Sequence, residues 1–190
     1  MKVVVSEFVS LDGVMEDPGG AEGYRHGGWS FRFKRGPAGD KFKVDELGDA
    51  GALLLGRVTY QGFAQAWPSI KDPDGFADRM NSIRKYVVSN TMKDAEATWN
   101  NTTIIRGDMA TEIARLKAGS GGDLLVFGSA RLVHGLAEHG LVDDYRLMVY
   151  PVILGGGKRL FADEGKMASL ELVDSKTAGD GIVMLTYKAA

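Results

Sequence analysis

The 190-residue sequence predicts an α/β domain: a mostly parallel sheet with an antiparallel edge. Three observations predict it. Short apolar runs alternate with helix-like stretches over most of the chain. Two of those runs, Ala52 to Leu55 and Leu124 to Phe127, are apolar at every position, as strands buried on both faces are. Near residue 169 the alternation stops, and two strand-like stretches flank Ala-Gly-Asp-Gly, the pattern of a hairpin.

The elements follow in order. Val3-Val4-Val5 opens a strand that Glu7-Phe8-Val9 continues, and Asp-Gly and Pro-Gly then mark Ser10 to Gly20 as turn and loop. Glycines and aromatics alternate from Gly23 to Phe33. A helix is expected from Ala38 to Leu47, weakened by Gly39 and Gly48 nearby. The strand Ala52 to Leu55 precedes a helix from Thr59 to Ala66, and a short helix runs from Asp74 to Ile83. Lys85 to Ser89 and Thr102 to Ile105 read as strands. Asp108 caps a helix over Met109 to Ala118. Leu124 to Phe127, the turn Gly128-Ser129 and a helix from Ala130 to Glu138 form the clearest strand-to-helix unit. Tyr145 to Tyr150 alternates before Pro151 and the glycine loop of VILGGGKRLF. The hairpin strands are expected over Ser169 to Lys176 and Gly181 to Lys188. No repeat or linker divides residues 1–190, so one domain is expected.

Composition narrows the function. The formal charge is 23 − 25 = −2 without a basic block, which argues against a nucleic-acid footprint. Cysteine is absent, which excludes disulfides, thiolate nucleophiles and Cys-ligated metals. His26, His134 and His139 do not form a close set, so no metal is expected. The first residues lack a signal-peptide pattern, and no apolar run reaches the roughly 18 residues of a membrane span. A cytoplasmic location is the expectation.

Ligands of such sheets bind beyond the carboxyl ends of strands. Three polar-glycine sites fall there: Gly56 to Thr59, Ser89 to Thr91, and Gly128 to Arg131. In GRVT, Gly56 lets backbone N–H groups approach a ligand and Arg57 offers a planar fork to phosphate. The competing reading makes Arg57 a surface cation and Thr59 a helix cap, and the segment alone divides these evenly. Gly128-Ser129 before a helix is a plausible diphosphate seat, although it is neither GxGxxG nor a Walker loop. Ser89 alone would more often be a turn residue.

Taken together, GR-x-T-[YW] at LLLGRVTY, then YVVSNT, LLVFGSARLVHGL and VYPVILGGGKRLF resemble the dihydrofolate-reductase-like family. Within it the chain is similar to the reductase domain of the bacterial bifunctional riboflavin-biosynthesis deaminase-reductase, over nearly its whole length. The resemblance implies a three-layer αβα fold and NADPH lying across the sheet. It places Gly56, Arg57, Val58 and Thr59 at the adenosine-side phosphates, and Ser89, Asn90 and Thr91 by the adenosine. Gly128, Ser129, Ala130, Arg131 and Leu132 would hold the diphosphate. Ser10, Leu11, Asp12 and Gly13 would border the nicotinamide and substrate, with Asp12 as the candidate catalytic group or else the cap of its own turn.

Trp29 and Phe31, in a loop with His26 and Phe33, form a stacking wall or a subunit contact. Dihydrofolate reductases carry one acidic residue on the first helix. Asp45, Glu46 and Asp49 do not fall in that motif, so folate is not the expected substrate. The expectation is an NADPH-dependent reductase of a small heterocyclic or carbonyl compound. The alternatives are 5-amino-6-(5-phosphoribosylamino)uracil reduction, dihydrofolate reduction, and a non-catalytic nucleotide-binding protein. A homodimer is expected, as in homologous reductase domains.

Overall fold

The computed structural model describes residues 1–190 and contains one eight-stranded sheet. The strands are β1 (Val3–Ser10), β2 (Ala50–Gly56), β3 (Arg84–Val88), β4 (Thr102–Ile105), β5 (Asp123–Val126), β6 (Asp144–Tyr150), β7 (Leu170–Ala178) and β8 (Ile182–Ala189). The α-helices are α1 (Gly36–Asp49), α2 (Arg57–Ala66), α3 (Phe76–Ser82), α4 (Met109–Lys117) and α5 (Ala130–Glu138). Strand order is β4-β3-β2-β5-β1-β6-β8-β7. The first six of these run parallel, and β8 pairs antiparallel with both β6 and β7. This is the three-layer αβα architecture with a C-terminal antiparallel hairpin.

Alternation along the strands separates the layers. Val3, Val5 and Val9 of β1 face a cluster that also takes Ile113 of α4 and Leu132, Val133 and Leu136 of α5. Val4 faces the opposite cluster, with Leu47 of α1, Tyr60 of α2 and Met80 of α3. Crossover helices on both faces explain why Ala52–Leu55 and Leu124–Phe127 carry no polar alternation: all eight residues are buried. A third cluster closes the end of the sheet near the hairpin. There Trp29 is fully buried, sets its ring edge-on to Tyr150 at 5.3 Å, and donates its indole N–H to the Glu16 carbonyl (2.8 Å). Burial also pushes the Tyr150 phenol up to about 12.

Several boundaries differ from the sequence reading. α1 begins at Gly36 and tolerates Gly39 in its interior because that position is buried, with the Met148 methyl 3.2 Å from where a Cβ would stand. α2 begins at Arg57, two residues before Thr59, so the Arg57 amide belongs to the open first turn. Lys85 of β3 is wholly buried. Its ammonium donates to the Asn81 and Asn100 carbonyls (2.7 and 3.0 Å), lies 4.1 Å from the Trp99 ring centre, and is lowered by burial to about 8. No helix is long and apolar enough to cross a membrane.

Candidate functional site

The carboxyl edge of the parallel strands is stepped. β1 pairs with β5 only as far as Val5 opposite Val126, and β2 ends at Gly56 opposite Val88. β1 and β6, however, stay paired up to Ser10 opposite Tyr150. Residues 6–10 of β1 therefore rise beside the end of β5, where the chain turns through Phe127, Gly128 and Ser129 into α5. α2 starts from the same step, one strand away.

The two helix entries are fastened to each other. The Ser129 hydroxyl oxygen accepts the Gly56 amide (2.9 Å), and its proton goes to Thr59 Oγ1 (2.9 Å). Gly128 and Ser129 both adopt left-handed backbone, φ 61° and 65°. A Cβ on Gly128 would stand 3.0 Å from Thr59 Cγ2, and one on Gly56 would stand 3.2 Å from Ser129 Oγ. These glycines therefore permit the two turns to interlock, which brings both sets of unpaired helix-start amides to one place. Thr59 is not a helix cap; its hydroxyl belongs to the interlock. Arginine ion pairs form elsewhere, at Arg35, Arg106, Arg115 and Arg146. Arg57 and Arg131 stand exposed at the two helix starts, next to exposed Val58, while Ala130 and Leu132 are buried on the inner face of α5.

Ser89 continues from Val88 beside Gly56. Its hydroxyl accepts the Thr91 and Met92 amides (3.3 and 3.0 Å), and Asn90 exchanges two bonds with Gly107 beyond β4 (3.2 and 2.7 Å). This is a fixed turn at the same edge, with Asn90 and Thr91 exposed.

On the other side of the step, Asp12 is committed to neighbouring backbone. Its carboxylate accepts the Ser10 hydroxyl (2.7 Å) and the Leu154 and Gly155 amides (3.1 and 2.9 Å). Burial pushes its pKa up, but these three donors outweigh it and hold the carboxyl at about 2. Glu16 pairs with Lys158 (2.7 Å) and the Tyr24 hydroxyl donates to the Gly156 carbonyl, so the 12–24 segment is laced to the 154–158 glycine loop. Gly13, at φ 80°, turns the chain out of β1 and donates its amide to the Ser10 carbonyl (2.9 Å). The stacking wall read from sequence does not form as expected: Trp29 is a core residue with no accessible face, whereas Phe31 is 79% exposed, as is Leu11 at 66%.

Sequence reasoning missed a buried polar cluster facing α1. The Ser6 hydroxyl donates to Glu46 Oε1 (2.8 Å), Lys43 donates to Ser6 Oγ (2.8 Å), and Lys43 is ion-paired with Glu46 Oε1. The Lys43 ammonium lies 4.2 Å from the Phe127 ring centre and 5.1 Å from that of Phe8. Glu46 Oε2 is buried without a partner. An available signal was the i, i+3 spacing of Lys43 and Glu46 beside Leu47, which places both on the inward face of the helix. Such a pair contributes little stability against its desolvation, and it lies against the residue that leads into the glycine turn.

Comparison with known proteins identifies the family and the fold. Residues 1–184 match the family model of the RibD C-terminal domain. The uncharacterized protein YyaP of Bacillus subtilis (strain 168) is 32% identical over 147 residues, 76% of this chain and 77% of that protein. Among solved structures, a putative riboflavin biosynthesis protein from Shewanella sp. PV-4 superposes with TM-score 0.79 at 22% identity, covering 100% of this chain and 99% of that one. The RibD protein of Acinetobacter baumannii superposes with TM-score 0.61 at 15% identity, covering 100% of this chain but 58% of the longer one. The chain belongs to the RibD C-terminal domain family, related to the reductase domain of riboflavin biosynthesis.

Proposed function

We propose that the protein is an NADPH-dependent reductase of the riboflavin-biosynthesis kind, acting on a small aminopyrimidine riboside. The observation that carries the cofactor reading is the Ser129 interlock, which brings two helix starts and two unpaired arginines to one sheet edge. Amides at helix starts and fixed guanidinium charges suit a ligand with several phosphate oxygens. Arg57, beside the Ser89 turn, fits a 2′-phosphate; Gly128 to Arg131 fit the diphosphate. When bound, NADPH would supply a hydride, while the chain's residues bind, orient and exclude water.

Support for a pyrimidine acceptor comes from the α1 cluster. Lys43 has one N–H beyond its bonds to Ser6 and Glu46, and Glu46 has a free buried acceptor oxygen. A donor beside an acceptor matches the –CO–NH– edge of such a ring. In this reading Asp12 positions the substrate-side loop and is not itself the proton donor.

Arg57→Ala is expected to weaken NADPH binding roughly tenfold or more, and NADH binding far less, because charge-assisted bonds to the 2′-phosphate are lost. Titration calorimetry with both cofactors checks this. An equal loss would move Arg57 away from the 2′-phosphate, and no loss would restore the surface-cation reading. NADPH oxidation on a panel of aminopyrimidine ribosides and dihydropteridines then tests the acceptor; turnover of the pteridines alone would favour dihydrofolate reduction.

The hairpin supports a homodimer. β7 is an edge strand, exposed from Glu171 to Thr177, and its Leu172 and Val173 are 51% and 58% exposed. Light scattering should give about twice the 20.5 kDa chain mass across a dilution series. A constant single-chain mass would reject the dimer.

A further inference from the structure

Glu7 is the one carboxyl group in β1, and it sits where the strand alternation calls for an apolar side chain. It shares its face with Val3, Val5 and Val9 of the largest core cluster, and stands opposite Leu147 of β6. It is only 5% exposed, and its Oε1 is buried with no hydrogen-bond partner. An unpaired buried carboxyl costs stability that Val or Leu would not cost. It also lies two residues above the last β1–β5 pair, at the height where β5 has become the glycine turn. The Gly128 amide is close enough to act on its ionisation.

Resting on the NADPH reading, we infer that the Glu7 carboxyl receives the carboxamide of the nicotinamide ring. If the phosphates occupy the Arg57 and Arg131 side of the interlock and the adenosine the Ser89 turn, the ring end is directed toward β1. The orphan oxygen there needs a donor, and the carboxamide is the donor-bearing group of that ring. Burial pushes the Glu7 carboxyl well above the usual carboxylate range. The Gly128 amide and Lys43 pull it down, while Glu46 and Glu22 push it further up. In its protonated form a carboxylic acid matches a primary carboxamide in both directions, acid O–H to amide oxygen and amide N–H to acid oxygen, and as a carboxylate it accepts the amide N–H. The residue is then a positioning group for the ring, acting through hydrogen bonds that fix its orientation.

The test compares wild type, Glu7→Gln and Glu7→Leu for binding of NADP⁺, its 3-acetylpyridine analogue, which lacks the amide N–H₂, and 2′-phospho-ADP-ribose, which lacks the ring. Wild type should prefer NADP⁺ over the analogue by about fivefold to tenfold, the size of one neutral hydrogen bond. Glu7→Gln, which can still donate and accept, should keep that preference. Glu7→Leu should abolish it and weaken NADP⁺ similarly, while melting no lower than wild type and binding 2′-phospho-ADP-ribose unchanged. Equal losses for NADP⁺ and 2′-phospho-ADP-ribose, or no loss for either, would overturn the inference while leaving the cofactor reading intact. Failure of wild type to bind either dinucleotide or 2′-phospho-ADP-ribose would instead remove the cofactor reading, and the inference with it.

Discussion

Gly179→Ala is expected to remove a large share of the protein's stability. Gly179 lies in the turn between β7 and β8 at φ 48°, and a Cβ there would stand 1.7 Å from the Lys34 carbonyl oxygen and 2.7 Å from the carbonyl carbons of Lys34 and Arg35. The approach is this close because the turn docks on the residues that lead into α1. Asp180 donates its amide to the Lys34 carbonyl (2.9 Å), and the Lys34 amide donates to the Asp180 carboxylate (2.8 Å). Left-handed backbone alone costs a β-carbon roughly 1–2 kcal/mol. Parting two backbone segments adds the lost bonds and the disturbed packing of Ala178 and Ile182, for a total on the order of 3–5 kcal/mol. Domains of this kind are stable by about 5–15 kcal/mol, so urea denaturation should show a large loss or no transition. Gly181→Ala is the control, since φ there is 85° but the nearest atom, on Pro151, is 3.9 Å away. If the two variants lose equal stability, the docked turn is not what Gly179 is for.

That hairpin was legible in sequence, and its docking was not. Alternation and turn residues are local signals, so β7, β8 and the α/β order before them could be read directly. What the strands meet across the sheet is not local. Gly56 and Thr59 read as one turn and Gly128 and Ser129 as another, yet their main contacts are with each other. Nothing in either segment specifies a partner some seventy residues away. Trp29 reads in sequence as part of a stacking wall or a subunit contact, whereas its burial is decided by Tyr150 and the Glu16 carbonyl. Lys43, Glu7 and Lys85 carry no site reading from sequence for the same reason, and Glu46 is weighed there only against the folate motif. A charged residue in a helix or strand defaults to the solvent face unless one knows what covers it. Local hints exist for Glu7, which strict alternation from Val3 places on the valine face, and for Lys43 and Glu46 through their spacing beside Leu47.

Asp12→Asn is expected to lower stability by about 1–3 kcal/mol, because the substitution turns one acceptor oxygen into an N–H₂ that faces donors. Ser10, Leu154 and Gly155 all point hydrogens at the wild-type carboxylate, and an amide can satisfy only part of that set. The loss should depend on pH with a definite sign. With its folded value depressed to about 2 from an ordinary 3.8, Asp12 contributes stability that is fully present above pH 3.8 and is lost as pH falls through 2. The gap between wild type and Asp12→Asn should therefore be widest near neutrality and narrow between those values. Its effect on catalysis separates two roles. A positioning residue that holds the Leu154–Gly155 loop should give a lower melting temperature, with NADPH affinity little changed and turnover per folded molecule falling only modestly. A group that touches the reacting ring should instead give near-normal stability and a collapse in turnover, because an oriented charge would be gone from the transition state. Melting curves and steady-state NADPH oxidation on the same samples decide it. A wild type–variant gap that stayed constant from pH 7 down to pH 2 would sink the positioning role, since protonating the carboxylate takes an acceptor from its three donors.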